Sequence, residues 1–404
     1  MRPSSGTGCS RAVSSPSGGW PAVTPFTPVV TILSPETAPR AANGRRLWAM
    51  MALLAGLSLL ATACAAAATP RGWASPVVSQ GQLYVSLEAG RLSAYEVGSW
   101  RFLWRFPGQN DSKVRPQAIY GGPVATADAV YFGGYDGNVY AVDRAQGGLR
   151  WRFKTDGPII APLALDESSG TVYAASDDGR VYALDSRDGT LRPGWPFRTD
   201  GSIWARPLLD GNTLYVASMD GKLYALDAIS GRKLWEVDVG AGLVSNPVLA
   251  DDTIVVGAVD RRLYAVDVSS RRLKWPSPPR ADNWFWAEPL VVGDVVYAPN
   301  LDGTVYALSL ADGSVLWTFA AQNPVRARPL LMGQVLVVVD REGIVYGLDA
   351  ATGSEAWGRQ DLLRRVLADP TPVDDQVLIV AHDGNVFRLD PDSGQVQRLD
   401  LPRP

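Results

Sequence analysis

Hydrophobic and polar residues alternate in short runs along most of the chain, and the runs return about every forty residues. The clearest copy is LYALDAISGRKLW, residues 223–235. Apolar residues alternate along one strand up to Leu226, Asp227 ends that strand, Gly231 permits a tight turn, and Trp235 lies in the next strand. The pattern therefore predicts a strand, a turn and a second strand.

Eight copies of this motif follow one another, at spacings of 40 to 47 residues. Its full form, A-x-D-x-x-x-G-x-x-x-W, stands at residues 141–151 and 225–235. The eight copies begin at Ala94, Ala141, Ala183, Ala225, Ala265, Ala307, Gly347 and Arg388. In the last copy, Arg398 stands in place of the tryptophan. A repeat of this length indicates a modular architecture, since 404 residues exceed what one hydrophobic core usually serves.

Two further strands precede each motif. In the fourth unit, we predict strands at residues 203–209, 213–218, 222–227 and 233–239, with the two middle strands joined by the turn Asp220-Gly221. The same dipeptide recurs at residues 136–137, 178–179, 302–303 and 383–384. Four antiparallel strands per unit predict an all-β fold, an eight-bladed β-propeller spanning residues 73–404. An open solenoid would need atypical capping repeats, and the WD40 and kelch patterns fit less well.

The first strand of every unit carries a proline. These prolines are Pro76, Pro123, Pro162, Pro207, Pro247, Pro289, Pro329 and Pro370. Proline cannot donate to a strand ladder, so it is confined to edge strands, strand starts and bulges. We therefore expect the first strand of each blade to border the central channel.

The N-terminal region has a different composition from the repeats. Residues 1–44 are rich in Ser, Pro, Gly and Thr and predict a disordered extension. Residues 45–64 begin with two arginines, continue with an apolar run and end in small residues, which is typical of an export signal. Residues 65–72 would be a linker. We therefore expect an extracytoplasmic protein.

The export signal ends in Leu-Ala-Thr-Ala-Cys, which resembles the lipobox of bacterial lipoproteins and makes Cys64 the candidate for lipidation. An uncleaved membrane anchor and an ordinary cleaved signal are the alternatives. Cys9 and Cys64 are the only cysteines, so a chain that begins at Cys64 could form no internal disulfide.

The A-x-D-x-x-x-G-x-x-x-W motif resembles the tryptophan-docking motif of the PQQ-like β-propeller family, over about residues 73–400. This resemblance implies that the tryptophans pack between blades as a structural girdle. The residues concerned are Trp104, Trp151, Trp195, Trp235, Trp275, Trp317 and Trp357. Since Arg398 departs from the pattern, the seam between the last and first blades is expected to be held differently.

Within that family, the anchor, blade number and motif resemble those of the BamB-like lipoproteins of the outer-membrane β-barrel assembly machinery. The resemblance implies a monomeric, non-enzymatic scaffold, bound to the membrane, whose partners are envelope proteins. A quinone-dependent dehydrogenase and an envelope ligand sensor are the alternatives. The dehydrogenases are longer and place their cofactor beside a disulfide between adjacent cysteines, so we expect no cofactor here. In an organism with one membrane, a general envelope-binding or sensing lipoprotein would be the better interpretation.

The composition and a few single residues exclude several kinds of binding and catalysis. At 46% hydrophobic and 20% charged residues, with a formal net charge of −3, the chain lacks the basic excess of a nucleic-acid binder. His382 is the only histidine, so neither a histidine-based triad nor a cluster of histidine metal ligands can form. It precedes an Asp-Gly turn, and we interpret it as a solvated turn residue. We assign no catalytic or metal-binding residues.

One region has the composition of a recognition surface. The connections that lead into the first strands, and the residue just before each proline, are expected near the mouth of the channel. These positions are rich in Trp and Arg. The candidate binding residues are Trp204, Arg206, Trp284, Trp286, Glu288, Arg326, Arg328, Arg364, Arg365 and Asp369. The aromatic residues among them could instead pack between blades, and the sequence does not decide between the two roles.

Overall fold

The strands of the protein form eight four-stranded antiparallel sheets. The structure is a computed structural model that describes residues 72–108 and 114–402. Each sheet is made of four strands that are consecutive in the chain, joined by short turns. The predicted all-β fold with eight blades is therefore confirmed.

The blades follow chain order. Blades 1 to 4 consist of β1 (Val77–Ser79), β2 (Gln82–Glu88), β3 (Arg91–Glu96) and β4 (Phe102–Phe106); β5 (Val124–Ala125), β6 (Ala129–Gly133), β7 (Asn138–Asp143) and β8 (Leu149–Lys154); β9 (Ala164–Asp166), β10 (Thr171–Ala175), β11 (Arg180–Asp185) and β12 (Phe197–Arg198); and β13 (Leu208–Asp210), β14 (Thr213–Ala217), β15 (Lys222–Asp227) and β16 (Lys233–Asp238). Blades 5 to 8 consist of β17 (Val248–Ala250), β18 (Thr253–Gly257), β19 (Leu263–Asp267) and β20 (Arg272–Leu273); β21 (Leu290–Val292), β22 (Val295–Pro299), β23 (Thr304–Ser309) and β24 (Val315–Ala320); β25 (Leu330–Met332), β26 (Val335–Val339), β27 (Ile344–Asp349) and β28 (Glu355–Asp361); and β29 (Thr371–Val373), β30 (Gln376–Val380), β31 (Val386–Leu389) and β32 (Val396–Leu399).

The hydrophobic core lies between the blades, in eight clusters that each join one blade to the next. Strand β15 shows how alternation produces this arrangement. Its Tyr224 and Leu226 pack against blade 3, whereas its Leu223 and Ala225 pack against blade 5. Because both faces of a middle strand are buried, the run is apolar on both sides and not only on one.

The ring is closed by contacts between blades 8 and 1. Leu83 and Val85 of blade 1 share one core cluster with Leu378 and Val380 of blade 8. Strand β1 also contacts β29, and β9 contacts β13 in the same way, so the first strand of each blade is the innermost. Blade 8 uses its own β32 as the outermost strand, which confirms that no strand is exchanged at the seam.

The innermost strands begin later than the sequence predicted. In blade 4 the predicted start was residue 203, but β13 begins at Leu208, directly after Pro207. The backbone N–H of Ile203 instead donates a 3.2 Å hydrogen bond to the carbonyl of Ser176 in blade 3. The residues before the proline therefore run along the neighbouring blade and not in the ladder of their own.

The outer-strand tryptophans pack on the turn of the following blade. Six of them meet a glycine there whose φ is between 71° and 76°, and a Cβ on that glycine would lie within 3.2 Å of the indole. The six pairs are Trp104 with Gly147, Trp151 with Gly189, Trp195 with Gly231, Trp275 with Gly313, Trp317 with Gly353, and Trp357 with Gly394. In the seventh case, Trp235 faces a blade whose turn carries Arg271 at the glycine position, and Trp235 is half-buried, as Trp317 and Trp357 also are.

At the seam between blades 8 and 1, the large side chain comes from the turn of blade 1 and not from the outer strand of blade 8. In blade 4 a bulge in the ladder places Trp235 opposite Ala225, but β32 pairs without that bulge, so Gln397 takes the corresponding position opposite Arg388. Arg398, which the motif placed at the tryptophan, lies opposite Phe387, points largely into solvent and pairs with Asp400 at 3.0 Å. In blade 1, Trp100 occupies the turn position that glycine holds elsewhere, with φ 54°, and packs into the core cluster between blades 8 and 1. An indole is therefore still present at this interface, but it comes from the other blade.

No helix long and apolar enough to cross a membrane occurs in the part of the chain that the structure describes. The predicted extension, the export signal with Cys64 and nearly all of the predicted linker lie outside the described residues.

Candidate axial binding site

The connections that lead into the innermost strands line a cavity at one end of the propeller axis. Buried and half-buried residues alternate along each connection, because successive side chains of an extended chain point to opposite sides. Two layers of half-buried or buried side chains result, and they line a cavity of about 80 Å³ that is open to solvent. We call it the axial cavity.

The aromatic layer of the axial cavity takes one side chain from each blade. Its members are Trp73, Tyr120, Ile160, Trp204, Val244, Trp286, Arg326 and Leu367. The polar layer lies two residues further along each connection. Its members are Ser75, Gly122, Pro162, Arg206, Asn246, Glu288, Arg328 and Asp369.

Blade 3 departs from the alignment of the prolines. Alignment of the eight prolines in the sequence would put Ala161, the residue before Pro162, at the position that Ser75 and Gly122 hold in blades 1 and 2. In the structure Ala161 is buried, Pro162 lines the axial cavity, and the buried position before the strand belongs to Leu163. The connection is thus shifted by one residue, and a proline contributes to the channel wall.

Side chains of the polar layer form a hydrogen-bonded chain across consecutive blades. The Nη2 of Arg206 and the Nδ2 of Asn246 donate to Oε2 of Glu288 at 3.2 Å and 2.9 Å. Oε1 of Glu288 lies 3.1 Å from Nη1 of Arg328. The Glu288 carboxylate is therefore held between two guanidinium groups and an amide, so its charge is neutralised inside the layer.

The chain of contacts continues to the first blade through Asp369. Its Oδ1 accepts a 2.7 Å hydrogen bond from the backbone N–H of Arg328, and its Oδ2 accepts one of 2.8 Å from the hydroxyl of Ser75. Burial raises the pKa of Asp369, while these hydrogen bonds oppose that rise. The polar layer thus links blades 4 through 8 and blade 1 around the axis.

Arg326 dominates the aromatic layer. Its Cζ lies 3.7 Å from the ring centre of Trp73 and 4.9 Å from that of Trp286, so the guanidinium is placed between two indoles. Burial lowers the pKa of Arg326 to about 10, and the side chain remains protonated at neutral pH. Among residues 72–108 and 114–402, no carboxylate lies within ion-pair distance of it.

The other aromatic rings extend the wall on both sides of Arg326. The rings of Trp73 and Tyr120 lie 4.1 Å apart, and those of Trp204 and Trp286 lie 6.1 Å apart. The indole N–H of Trp204 donates a 2.6 Å hydrogen bond to Oδ1 of Asp177, which fixes the orientation of this ring. The wall is therefore rigid and mostly apolar, with a single cation in it.

The structure brings together seven of the ten candidate binding residues. Trp204, Arg206, Trp286, Glu288, Arg326, Arg328 and Asp369 all belong to the two layers of the axial cavity. Sequence reasoning missed Trp73 and Tyr120 of the aromatic layer. A signal for them existed, because both lie three residues before the proline of their unit, as Trp204, Trp286 and Arg326 do.

The three remaining candidates lie outside the axial cavity. Trp284 is half-buried in a turn, where its carbonyl accepts a 3.2 Å hydrogen bond from the N–H of Leu301. Arg364 pairs with Asp383, and Arg365 pairs with Glu342. Both arginines are exposed turn residues and not part of the channel wall.

Within the described residues, no group of three or more His, Cys, Asp and Glu side chains has an arrangement that could hold a metal ion. The Asp-Gly dipeptides are hairpin turns, as predicted. In blade 4, Gly221 has φ 90°, and Oδ1 and Oδ2 of Asp220 accept hydrogen bonds from the N–H of Lys222 and the hydroxyl of Tyr224. These carboxylates therefore stabilise turns.

The similarity of the chain to known proteins identifies its family. A family model described as outer membrane protein assembly factor BamB matches residues 100–202, 192–318 and 301–398. The chain belongs to this BamB family. The PQQ-like repeat predicted from the tryptophan-docking motif is thereby confirmed. No curated protein matches the chain.

Two solved structures illustrate how widely the fold of this BamB family member is shared. BamB from Moraxella catarrhalis is 20% identical, with a TM-score of 0.64, and the similarity covers 78% of this chain and 92% of that one. The computationally designed Ika8 protein is 16% identical, with a TM-score of 0.63, covering 79% of this chain and 99% of that one. At these identities the similarity establishes the fold, and function must be argued from the site.

Proposed function

We propose that this BamB family member is a membrane-anchored, extracytoplasmic scaffold that binds other envelope proteins during outer-membrane β-barrel assembly. The family match supports this proposal, since the family is described as an outer-membrane protein assembly factor. The observation that carries the binding role is the axial cavity, where Trp, Tyr and Arg side chains from five of the eight blades meet at one end of the ring. Aromatic and Arg side chains are enriched where proteins recognise partners.

The contacts inside the axial cavity favour binding over catalysis. Both oxygens of Glu288 accept hydrogen bonds or face a cation, and both oxygens of Asp369 accept hydrogen bonds. A general acid or base needs a free site for the proton that it transfers. These carboxylates instead hold neighbouring blades in position, which favours a preformed surface for recognition.

Photo-crosslinking in cells tests the scaffold role. A photoreactive amino acid at Ile160, in the aromatic layer, should capture a component of the β-barrel assembly machinery or one of its barrel clients. The same amino acid at Ile229, which is 71% exposed in the turn between β15 and β16, is the matched control. Identical capture from both positions, or none from Ile160, would contradict the proposal.

A separate experiment tests the membrane anchor. If Cys64 carries the lipid, Cys64→Ser should abolish labelling by radioactive palmitate and move the protein from the membrane to the soluble fraction. Cys9→Ser, the control, should change neither. A Cys64→Ser variant that stays in the membrane would instead indicate an uncleaved helix.

A further inference from the structure

The arginines of the axial cavity are not equivalent. Arg206 and Arg328 share the carboxylate of Glu288, at 3.2 Å and 3.1 Å. Arg326 is mostly buried and is contacted by the rings of Trp73 and Trp286. Among the described residues no carboxylate lies within 4 Å of it, and Asp369 attracts it only from a greater distance. One cation in the cavity wall is therefore available to a ligand.

The environment of Arg326 determines what kind of group can reach it. The two indoles lie against the guanidinium, so the N–H groups at its edge remain to donate hydrogen bonds. A guanidinium edge matches the two oxygens of a carboxylate, with which it forms paired, charge-assisted hydrogen bonds. The charged partner would also compensate the cost of holding an unpaired cation in a largely buried position.

The other residues of the axial cavity determine the charge and the shape of a ligand that fits it. The three arginines Arg206, Arg326 and Arg328 face two carboxylates, Glu288 and Asp369, so one positive charge remains. A ligand with one negative charge is therefore better matched than phosphate, which carries more charge. Tyr120, Trp204 and Ile160 offer rings and aliphatic surface beside the cation. Such a wall packs against an apolar or aromatic body attached to the anion.

We propose that the axial cavity binds a carboxylate group of a peptide segment, with Arg326 as its anchor and the aromatic layer holding the apolar residue next to it. The inference rests on the proposed scaffold function, because a peptide ligand presumes a protein partner. The carboxylate belongs either to the end of a chain or to an acidic side chain. Both sources present the same two oxygens to Arg326.

Titration with three short peptides tests this proposal and identifies the source. The probes are N-acetyl-Leu-Phe with a free carboxylate, the same peptide as its C-terminal amide, and N-acetyl-Glu-Phe amide. Binding is followed by the fluorescence of the tryptophans and by calorimetry. Binding of the first peptide alone supports a chain end as the source, and binding of the third supports an acidic side chain. Equal binding of the uncharged amide, or no binding at millimolar concentration, would overturn the proposal.

Variants separate binding from structure. Arg326→Met should weaken peptide binding at least tenfold, and Arg326→Lys should weaken it less, because the charge remains while the planar edge is lost. Arg364→Met is the matched control, since Arg364 is exposed and lies outside the axial cavity. It should leave binding unchanged. Unchanged binding in Arg326→Met would also overturn the proposal.

The melting temperature provides a second readout. Removal of an unpaired, mostly buried cation should leave the melting temperature of Arg326→Met equal or higher. A marked decrease, without a loss of peptide affinity, would assign Arg326 to the structure of the ring. These outcomes are independent of the crosslinking experiment, which can capture an envelope partner even where no carboxylate peptide binds.

Discussion

The hydroxyl of Ser75 donates a 2.8 Å hydrogen bond to Oδ2 of Asp369, a residue 294 positions further along the chain. The backbone N–H of Asp369 donates back to the same hydroxyl at 3.0 Å. This reciprocal pair joins the first and last blades within the polar layer, at the interface where the ring closes.

We expect Ser75→Ala to lower the free energy of unfolding by about 1–3 kcal/mol, because it leaves a buried carboxylate and a buried N–H without their partner. Urea unfolding at neutral pH measures the change. Ser314→Ala removes a similar serine–aspartate contact, with Asp312 at 2.8 Å, from an exposed turn. That control should change stability by less than about 0.5 kcal/mol, and equal losses in the two variants would disprove the special role of the closing pair.

A turn glycine matters in two ways that can be measured separately: it leaves room for a tryptophan ring, and it adopts the positive φ that the turn requires. At Gly353, φ is 74° and a Cβ would lie 2.5 Å from the Trp317 ring; at Gly333, φ is 60° and nothing lies within 4 Å. Alanine at either position meets the backbone strain of a positive φ, about 1 kcal/mol. Gly353→Ala should cost a further 1–3 kcal/mol or so from overpacking. Thermal unfolding of both variants tests this, and similar melting temperatures would show that the indole moves aside at no cost.

The exchanged partners at the seam form a third test. Trp100→Gly should destabilise the ring by about 2–4 kcal/mol through loss of indole packing. Gln397 lies opposite Arg388, as Trp235 lies opposite Ala225 in blade 4, so adding Gln397→Trp to that variant restores the arrangement of the other interfaces and should recover at least half of the loss. Gln397→Trp alone should give no gain, because two indoles would compete for one space. A double-mutant cycle measures this coupling, and additive effects would contradict the exchange.

Acid should weaken the fold through its turn aspartates. Hydrogen bonds from Arg187, opposed in part by burial, lower the pKa of Asp185 from 3.8 to about 2. Since the folded pKa lies below the unfolded one, the ionised group stabilises the fold above about pH 4, and this contribution is lost as the pH falls towards 2. Asp185→Asn should therefore lower the melting temperature at pH 6 and reduce the further decrease on acidification. Asp128→Asn removes an exposed charge as the control, and an unchanged acid profile in Asp185→Asn would refute the assignment.

Most of the fold was predictable because its signals are local. Asp-Gly turns such as Asp220-Gly221 fix where β14 ends and β15 begins, and Trp235 marks the outer strand. The shift in blade 3 was not predictable, because a proline is tolerated both before a strand and in a channel wall. The first strands are also only two or three residues long, so alternation within them is too brief to set their boundaries.

The residues of the axial cavity were only partly predictable, because the direction in which a connection runs decides which of its side chains face the cavity. Trp284 and Trp286 are separated by one residue and would share a side of a straight strand, yet only Trp286 lines the cavity. The turn at residues 282–284 changes the direction of the chain between them. Counting back from the proline selects Trp286, Trp73 and Tyr120 together, whereas richness in Trp and Arg also selects Arg364 and Arg365, which lie outside.

The contact of tryptophan with glycine gives six interfaces of the ring a direction, since each of these indoles points to the blade that follows it. A single blade taken from the ring would expose its indole and also the glycine turn that packs against the indole of the preceding blade. Opening any one of these six interfaces therefore exposes two complementary surfaces, the indole of one blade and the glycine turn of the next. We expect the eight blades to melt in one cooperative step and not one at a time.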